Sequence, residues 1–296
     1  MSKITIVGIG NLILDYYFYD NKIYVNGGGT VSNILANLSN MGMDTKLVGY
    51  YGNNYVGEVA KKLLEKTGVN TSLLERKDYK TKCFFINSEG YSSTCPYCNT
   101  KTKNYKLRTD IDKFIQKEDI ILIQDYTVLN NNSNKVCLDF GYFKKLIFED
   151  NKKIEEFIFK SYYIVTIKET ALSFILKKLN ITFEQFIQRS SIYFLIITKG
   201  KNGATIVYNH KKYEYHIDPL EEKETNGCGD IFFATFIYEI IKRKNLTKKD
   251  IDEIFCLAQK NVSTVLNNIG ARNHIVSNLV IKKSNKCICE DFIIQN

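Results

Sequence analysis

Short apolar runs alternate with longer amphipathic stretches along almost the whole chain, and that alternation leaves few architectures open. A run of four to eight apolar residues between turn residues suits a strand buried on both faces. A longer stretch with apolar residues three or four apart suits a helix that covers it. The pattern predicts strands over 4–8, 46–50, 120–123, 136–139, 163–166, 195–198 and 204–207. It predicts helices over about 31–41, 55–66, 141–159, 169–178, 183–188, 228–243 and 248–268, the last opened by a capping-box-like Thr247-Lys248-Lys249-Asp250. The expected fold class is α/β, with a mostly parallel central sheet and helices on both faces.

Two stretches break the alternation. Residues 15–25 and 80–106 are rich in Tyr, Phe and Thr with polar interruptions, which suits antiparallel ribbon better than βαβ units. They predict a small β-rich lid on one domain spanning 1–296. A lid that closes over a reacting site excludes water from it.

With 296 residues, of which 44% are hydrophobic, the chain can bury one main core with a smaller attachment. Met1-Ser2-Lys3 followed by Ile4-Thr5-Ile6-Val7-Gly8 reads as a first buried strand rather than a signal peptide. Nowhere do about 18 apolar residues run together, so the expected location is the cytoplasm, with no membrane partner. The net charge of +9 comes from scattered lysines that suit solvated faces, and no nucleic-acid partner is expected.

The strongest chemical signal is Glu224-Thr225-Asn226-Gly227-Cys228-Gly229-Asp230, followed by the apolar Ile231-Phe232-Phe233-Ala234-Thr235-Phe236-Ile237. A glycine-flanked turn here opens a helix that must be buried, so its unpaired N-terminal amides point into the protein. Such an end suits an anion, and glycines at 227 and 229 let phosphate oxygens approach the backbone. An acid in the same turn is placed to take a proton from an attacking hydroxyl. A plain helix cap, with Asp230 favoured by the macrodipole, fits the same residues.

The turn resembles the second signature of the ribokinase-like, or PfkB, kinases, D-T-x-G-A-G-D, with Glu224 for the first Asp and Cys228 for Ala. The resemblance implies ATP-dependent phosphorylation of a small sugar or sugar derivative, with Asp230 as catalytic base and the amides of Gly227, Cys228 and Gly229 as anion hole. The family's first signature is matched by Gly27-Gly28-Gly29-Thr30-Val31-Ser32-Asn33, running on through Asn37, Gly42, Gly49, Gly52, Gly57 and Gly68-Val69. By that resemblance Gly28, Gly29 and Asn33 bind substrate hydroxyls, and Asp15 matches the acid that holds the sugar. A flexible turn is the plainer reading of Gly27 to Gly29.

Thr198-Lys199-Gly200-Lys201-Asn202-Gly203-Ala204 resembles the family's T-x-G-x-x-G-A turn near the nucleotide phosphates. Glu169 resembles the acid of N-x-x-E, which organises magnesium through water, although Thr166 stands for the usual Asn. Asn267-Asn268-Ile269-Gly270-Ala271 resembles the loop beside the adenine, with Asn268 as its contact. Between Asp125 and Val136 a short Asn-rich loop stands where relatives carry a crossover helix, which points to an altered sheet edge. Relatives often pair through the lid, so the resemblance also implies a homodimer there.

Other readings compete. Gly8-Ile9-Gly10 suggests dinucleotide binding, but Ile13 occupies the third glycine position, and no P-loop motif occurs. His210, His216 and His274 have no protease or triad spacing. A nucleoside kinase is the main rival, with Tyr16, Tyr17 and Phe18 offered for stacking on a base or for packing. A catalytically silent sugar or nucleotide sensor of the same fold is the other alternative. Of 8 cysteines, Cys83, Cys137 and Cys256 sit in apolar runs and read as core. Cys95-Pro96-Tyr97-Cys98 and Cys287-Ile288-Cys289 suit either a closed four-sulfur structural zinc site or two unrelated reduced pairs.

Overall fold

A computed structural model describes residues 4–19, 22–87, 92–94, 113–116, 119–124, 135–140, 150–217, 225–243, 245–267, 270–272, 279–281 and 292–294. The chain forms one compact unit from Met1–Gln116 with Glu221–Asn296 and another from Lys117–Leu220. Its first passage through unit 1 gives β1 (Thr5–Ile9), β2 (Ile13–Tyr19), β3 (Lys22–Gly28), α1 (Thr30–Asn40), β4 (Asp44–Gly52), α2 (Tyr55–Glu65), β5 (Leu74–Lys77), β6 (Lys82–Asn87) and β7 (Ser92–Thr94). Unit 2 holds β8 (Ile120–Ile123), β9 (Lys135–Phe140), α3 (Asn151–Ile158), β10 (Ser161–Lys168), α4 (Glu169–Leu179), α5 (Phe183–Arg189), β11 (Ser191–Thr198), β12 (Ala204–Tyr208) and β13 (Lys211–Tyr215). The return to unit 1 adds α6 (Cys228–Lys242), α7 (Lys248–Leu266), β14 (Leu279–Ile281) and β15 (Phe292–Ile294).

The fold is α/β with mostly parallel strands. In unit 1, β4 runs parallel between β1 and β5, and all five residues of β1 are buried. That burial is why β1 reads as an unbroken apolar run rather than an alternating one. In unit 2, β8, β9, β10 and β11 are parallel, and β12 and β13 are added antiparallel. β9 lies between β8 and β10, so the strand after the Asn-rich loop is interior rather than an altered edge. The loop itself, 125–134, lies outside the described residues, as do residues 141–149 of the helix expected over 141–159, of which α3 is the described part.

Unit 1 also carries a four-stranded sheet in the order β3-β2-β6-β7, drawn from the two stretches that broke the alternation. β2 and β3 form an antiparallel hairpin that sets Asp15 opposite Asn26, and β6 joins β2 in parallel. Tyr16 and Tyr17 are 1% and 0% exposed, Tyr16 stacking on Phe85 at 5.4 Å between ring centres. They are packing residues of this sheet and present no face to a ligand.

The helices follow their apolar stripes. α7 starts with the capping box expected from Thr247 and Asp250: the Asp250 amide donates to Thr247 Oγ1 at 3.2 Å, and the Thr247 amide donates to Asp250 Oδ2 at 2.8 Å. Its buried stripe is Ile251, Ile254, Phe255 and Ala258, which turns Cys256 about 100° away. Cys256 is therefore exposed, and its reading as core is corrected, whereas Cys83 and Cys137 are buried. α6 packs against α1 and α7 and buries Ile231, Phe233, Ala234, Phe236, Ile237 and Ile240. At about 1.5–3 kcal/mol for each large apolar side chain, that burial holds the N-terminus of α6 in place.

Candidate active site

The two signature segments meet in unit 1. Each opens a helix after a glycine of positive φ: Gly29 at 92° before α1, and Gly227 at 85° before α6. Asn33 lies in the first turn of α1 and Asp230 in the first turn of α6. Asn33 Nδ2 donates to Asp230 Oδ2 at 2.7 Å, across 197 residues of sequence. The positive ends of two helices therefore converge on one carboxylate.

Around Asp230 the backbone is open on one side. Among the described residues a Cβ on Gly229 would meet no atom within 4 Å, and the Gly227 and Gly229 amides have no hydrogen-bond acceptor. The Cys228 amide donates to the Thr225 carbonyl at 3.3 Å. Unpaired first-turn amides beside open space suit an anion. Glu224 lies outside the described residues.

Asp15, Gly28 and Gly29 lie at the start of α1. Asp15 is 6% exposed on β2. A Cβ on Gly28 would lie 2.4 Å from its carboxylate oxygen, so only glycine lets β3 pass so close to Asp15. Asp15 is also one of the charges felt by a buried guanidinium, that of Arg272.

Arg272 is the residue that sequence reasoning missed. It is 1% exposed, and among the described residues no other Lys or Arg is buried. Its Nε donates to Asn33 Oδ1 at 2.8 Å and its Nη2 to the Gly28 carbonyl at 3.1 Å. Asn26 Nδ2 in turn donates to the Arg272 carbonyl at 2.7 Å. Burial pushes its pKa down to about 10, against the opposing charges of Asp15, Tyr17 and Asp230, so it remains a cation at neutral pH. Nothing in the spacing brings Arg272 to Asn33, 239 residues earlier. The available signal is a charged residue directly after Gly270-Ala271, in the loop expected beside the nucleotide. The described part of that loop packs on the acceptor-side residues through Arg272 and on the anion turn through Ala271, which a Cβ on Gly227 would meet at 2.4 Å. Asn268 lies outside the described residues.

Unit 2 carries the residues expected on the nucleotide side. Thr198 ends β11, and the Lys199 amide donates to the Gly203 carbonyl at 2.9 Å to close the turn. Gly200 and Gly203 have φ of 58° and 94°. A Cβ on Gly203 would meet the Tyr215 carbonyl at 2.0 Å, whereas Gly200 faces open space. Lys199 Nζ contacts Glu214 at 2.7 Å and lies 3.9 Å from Glu169, which opens α4. Burial works to raise the Glu214 pKa, but hydrogen bonds from Lys199, Lys212 and Thr205 outweigh it and hold the carboxyl at about 2. Thr166 is buried on β10.

Among the described residues no three His, Cys, Asp or Glu side chains are grouped to hold a metal directly. A half-exposed Glu169 suits magnesium held mainly by water and phosphate oxygens. Cys95, Cys98, Cys287 and Cys289 lie outside the described residues, as does His274. His210 sits in the β12–β13 turn. No helix among the described residues is long and apolar enough to cross a membrane.

Comparison with known proteins places this geometry in company. Residues 3–277 match the family described as pfkB family carbohydrate kinase. An uncharacterized sugar kinase of Buchnera aphidicola is 24% identical, over 92% of this chain and 93% of its own. The fold is shared with fructokinase with bound ATP from Xylella fastidiosa, at TM-score 0.74 and 15% identity over 90% of this chain and 93% of that one. It is also shared with a nucleoside kinase of Methanocaldococcus jannaschii, an archaeal member of the ribokinase family, at TM-score 0.68 and 18% identity over 92% and 94%.

Proposed function

Since the chain belongs to the pfkB family of carbohydrate kinases, we propose that it transfers the terminal phosphoryl group of ATP to a hydroxyl of a small sugar or sugar derivative. The observation that carries this reading is the 2.7 Å bond from Asn33 to Asp230, beside the Gly227 and Gly229 amides, which have no acceptor among the described residues. It joins an acceptor-holding segment to a base and an anion site in one cluster.

The chemistry follows from the groups present. Asp15 and Asn33 hold acceptor hydroxyls, the carboxylate accepting and the amide able to do both. Asp230 takes the proton of the attacking hydroxyl, so that the oxygen reaches phosphorus without carrying a positive charge. The Gly227 and Gly229 amides and the positive end of α6 stabilise charge on the transferring group, with the Cys228 amide shared with Thr225. Thr198, Gly200 and Gly203 accommodate phosphates against backbone, and Glu169 organises magnesium, which supplies charge neutralisation when bound.

A sugar is preferred over a nucleoside because Tyr16 and Tyr17 are consumed in packing, and of the three aromatics only Phe18 keeps part of its surface exposed, against Phe85 at 5.5 Å between ring centres. Retention of Asp230 in contact with Asn33 favours an enzyme over a silent sensor. ADP release measured against a panel of sugars, amino sugars and nucleosides tests the reading. Turnover with one sugar class well above the ATPase background is expected. Turnover with nucleosides alone would replace the substrate class, and none with any member would remove the enzyme.

A further inference from the structure

We infer that Arg272 is a positioning residue for the base: its guanidinium locks the Asn33 side-chain amide in the one orientation that donates to Asp230. The inference rests on the kinase reading above and adds a residue that neither signature contains.

An Asn amide has two ends that differ only in what they offer, an acceptor oxygen and a donor nitrogen. On Asn33 the oxygen faces Arg272 Nε at 2.8 Å and the nitrogen faces Asp230 at 2.7 Å. A guanidinium only donates and an ionised carboxylate only accepts, so the reversed amide would meet like with like on both sides. Arg272 thus fixes the amide, and the amide fixes the carboxylate.

The site around Arg272 is built to hold it. Its Nη2 donates to the Gly28 carbonyl at 3.1 Å, and its own carbonyl accepts from Asn26 at 2.7 Å. A Cβ on Gly27 would lie 2.0 Å from Nη1, so the chain passes flush against the guanidinium. Nη1 itself has no acceptor among the described residues. A buried cation with an unused donor is costly, and structural filling alone is better served by an apolar side chain. The charges of Asp15 and Asp230 offset that cost.

The test pairs kinetics with a spectroscopic readout. In Arg272→Met, kcat is expected to fall roughly 10- to 100-fold, the range of a charge-assisted hydrogen bond, with KM for ATP unchanged. In an Asn33→Ala background the same substitution is expected to change kcat less than about threefold, because both act through one amide. Independently of turnover, the Asn33 side-chain NH₂ resonance should exchange slowly in wild type and quickly in Arg272→Met. If Arg272→Met does not fold, Gly27→Ala displaces the guanidinium without removing its charge and should give the same two changes at smaller size. Additive kcat losses, or an Asn33 resonance unchanged in the variant that folds, would overturn the inference. A wild type that shows the protected resonance but phosphorylates nothing would instead sink the kinase reading and leave the amide lock standing.

Discussion

Asn33 and Arg272 are 4% and 1% exposed around Asp230. In unit 2, by contrast, Lys199, Glu169 and Glu214 keep 20%, 54% and 38% of their side-chain surface in solvent. Both clusters bring opposite charges together, yet they work under different dielectric conditions. The Arg272 hydrogen bonds to Asn33 and Gly28 are buried and little screened, and an unmade one there carries the full cost of desolvation. In the exposed cluster water and salt screen the charges, and an ion pair there contributes about 0–1 kcal/mol. On the proposed function, geometry matters at Asp230, where a proton would move, and net charge suffices at Glu169, where a water-held cation would be organised.

That contrast ranks the expected effects of substitution. Removing the base is the largest: Asp230→Asn should lower kcat by something like 10² to 10⁴, with ATP affinity by calorimetry nearly unchanged. Next, Asn33→Ala should lower kcat/KM for the acceptor roughly 10- to 100-fold, again with little change toward ATP. Gly28→Ala follows, since its Cβ would press on the Asp15 carboxylate. Acceptor affinity should drop about tenfold, near the 1–3 kcal/mol of an overpacked site. Loss of ATP affinity instead, in either variant, would show that the two halves of the site are misassigned.

The smallest effect is expected at Glu214. Its folded pKa lies below the ordinary value of 4.5, so its contribution is present above pH 4.5 and is lost as pH falls toward 2. Glu214→Gln should therefore cost no more than about 1 kcal/mol at pH 7, with the difference from wild type vanishing between pH 4.5 and 2. Thermal melts across that range check it. A stability loss well above about 1 kcal/mol would break the comparison, because it would mean that the exposed cluster is not screened.

Much of this was legible in the residues, for reasons that differ by element. β8 was read to the residue because Ile120–Ile123 is a wholly buried apolar run. β13 was missed because Lys211-Lys212-Tyr213-Glu214-Tyr215 forms a largely exposed edge strand, which offers no apolar run. Asp230 and Asn33 were singled out because glycine-bracketed helix starts have a recognisable spacing, and Asp15 because it matches an acid of the family's pattern. Arg272 was not found, because a buried guanidinium is defined by partners at Gly28 and Asn33 that only the fold brings together. Cys256 was misread because an apolar neighbourhood in sequence does not fix which side of a helix a residue takes.

Phosphorus NMR of the reaction mixture tests the central claim most directly. With a sugar that supports ADP release, wild type should convert the terminal phosphate of ATP into a new phosphate monoester signal in step with ADP. Asp230→Asn should form that signal at least about a hundredfold more slowly. Release of inorganic phosphate without a sugar monoester, or equal monoester formation by both proteins, would contradict the assignment of Asp230 as the base of a sugar kinase.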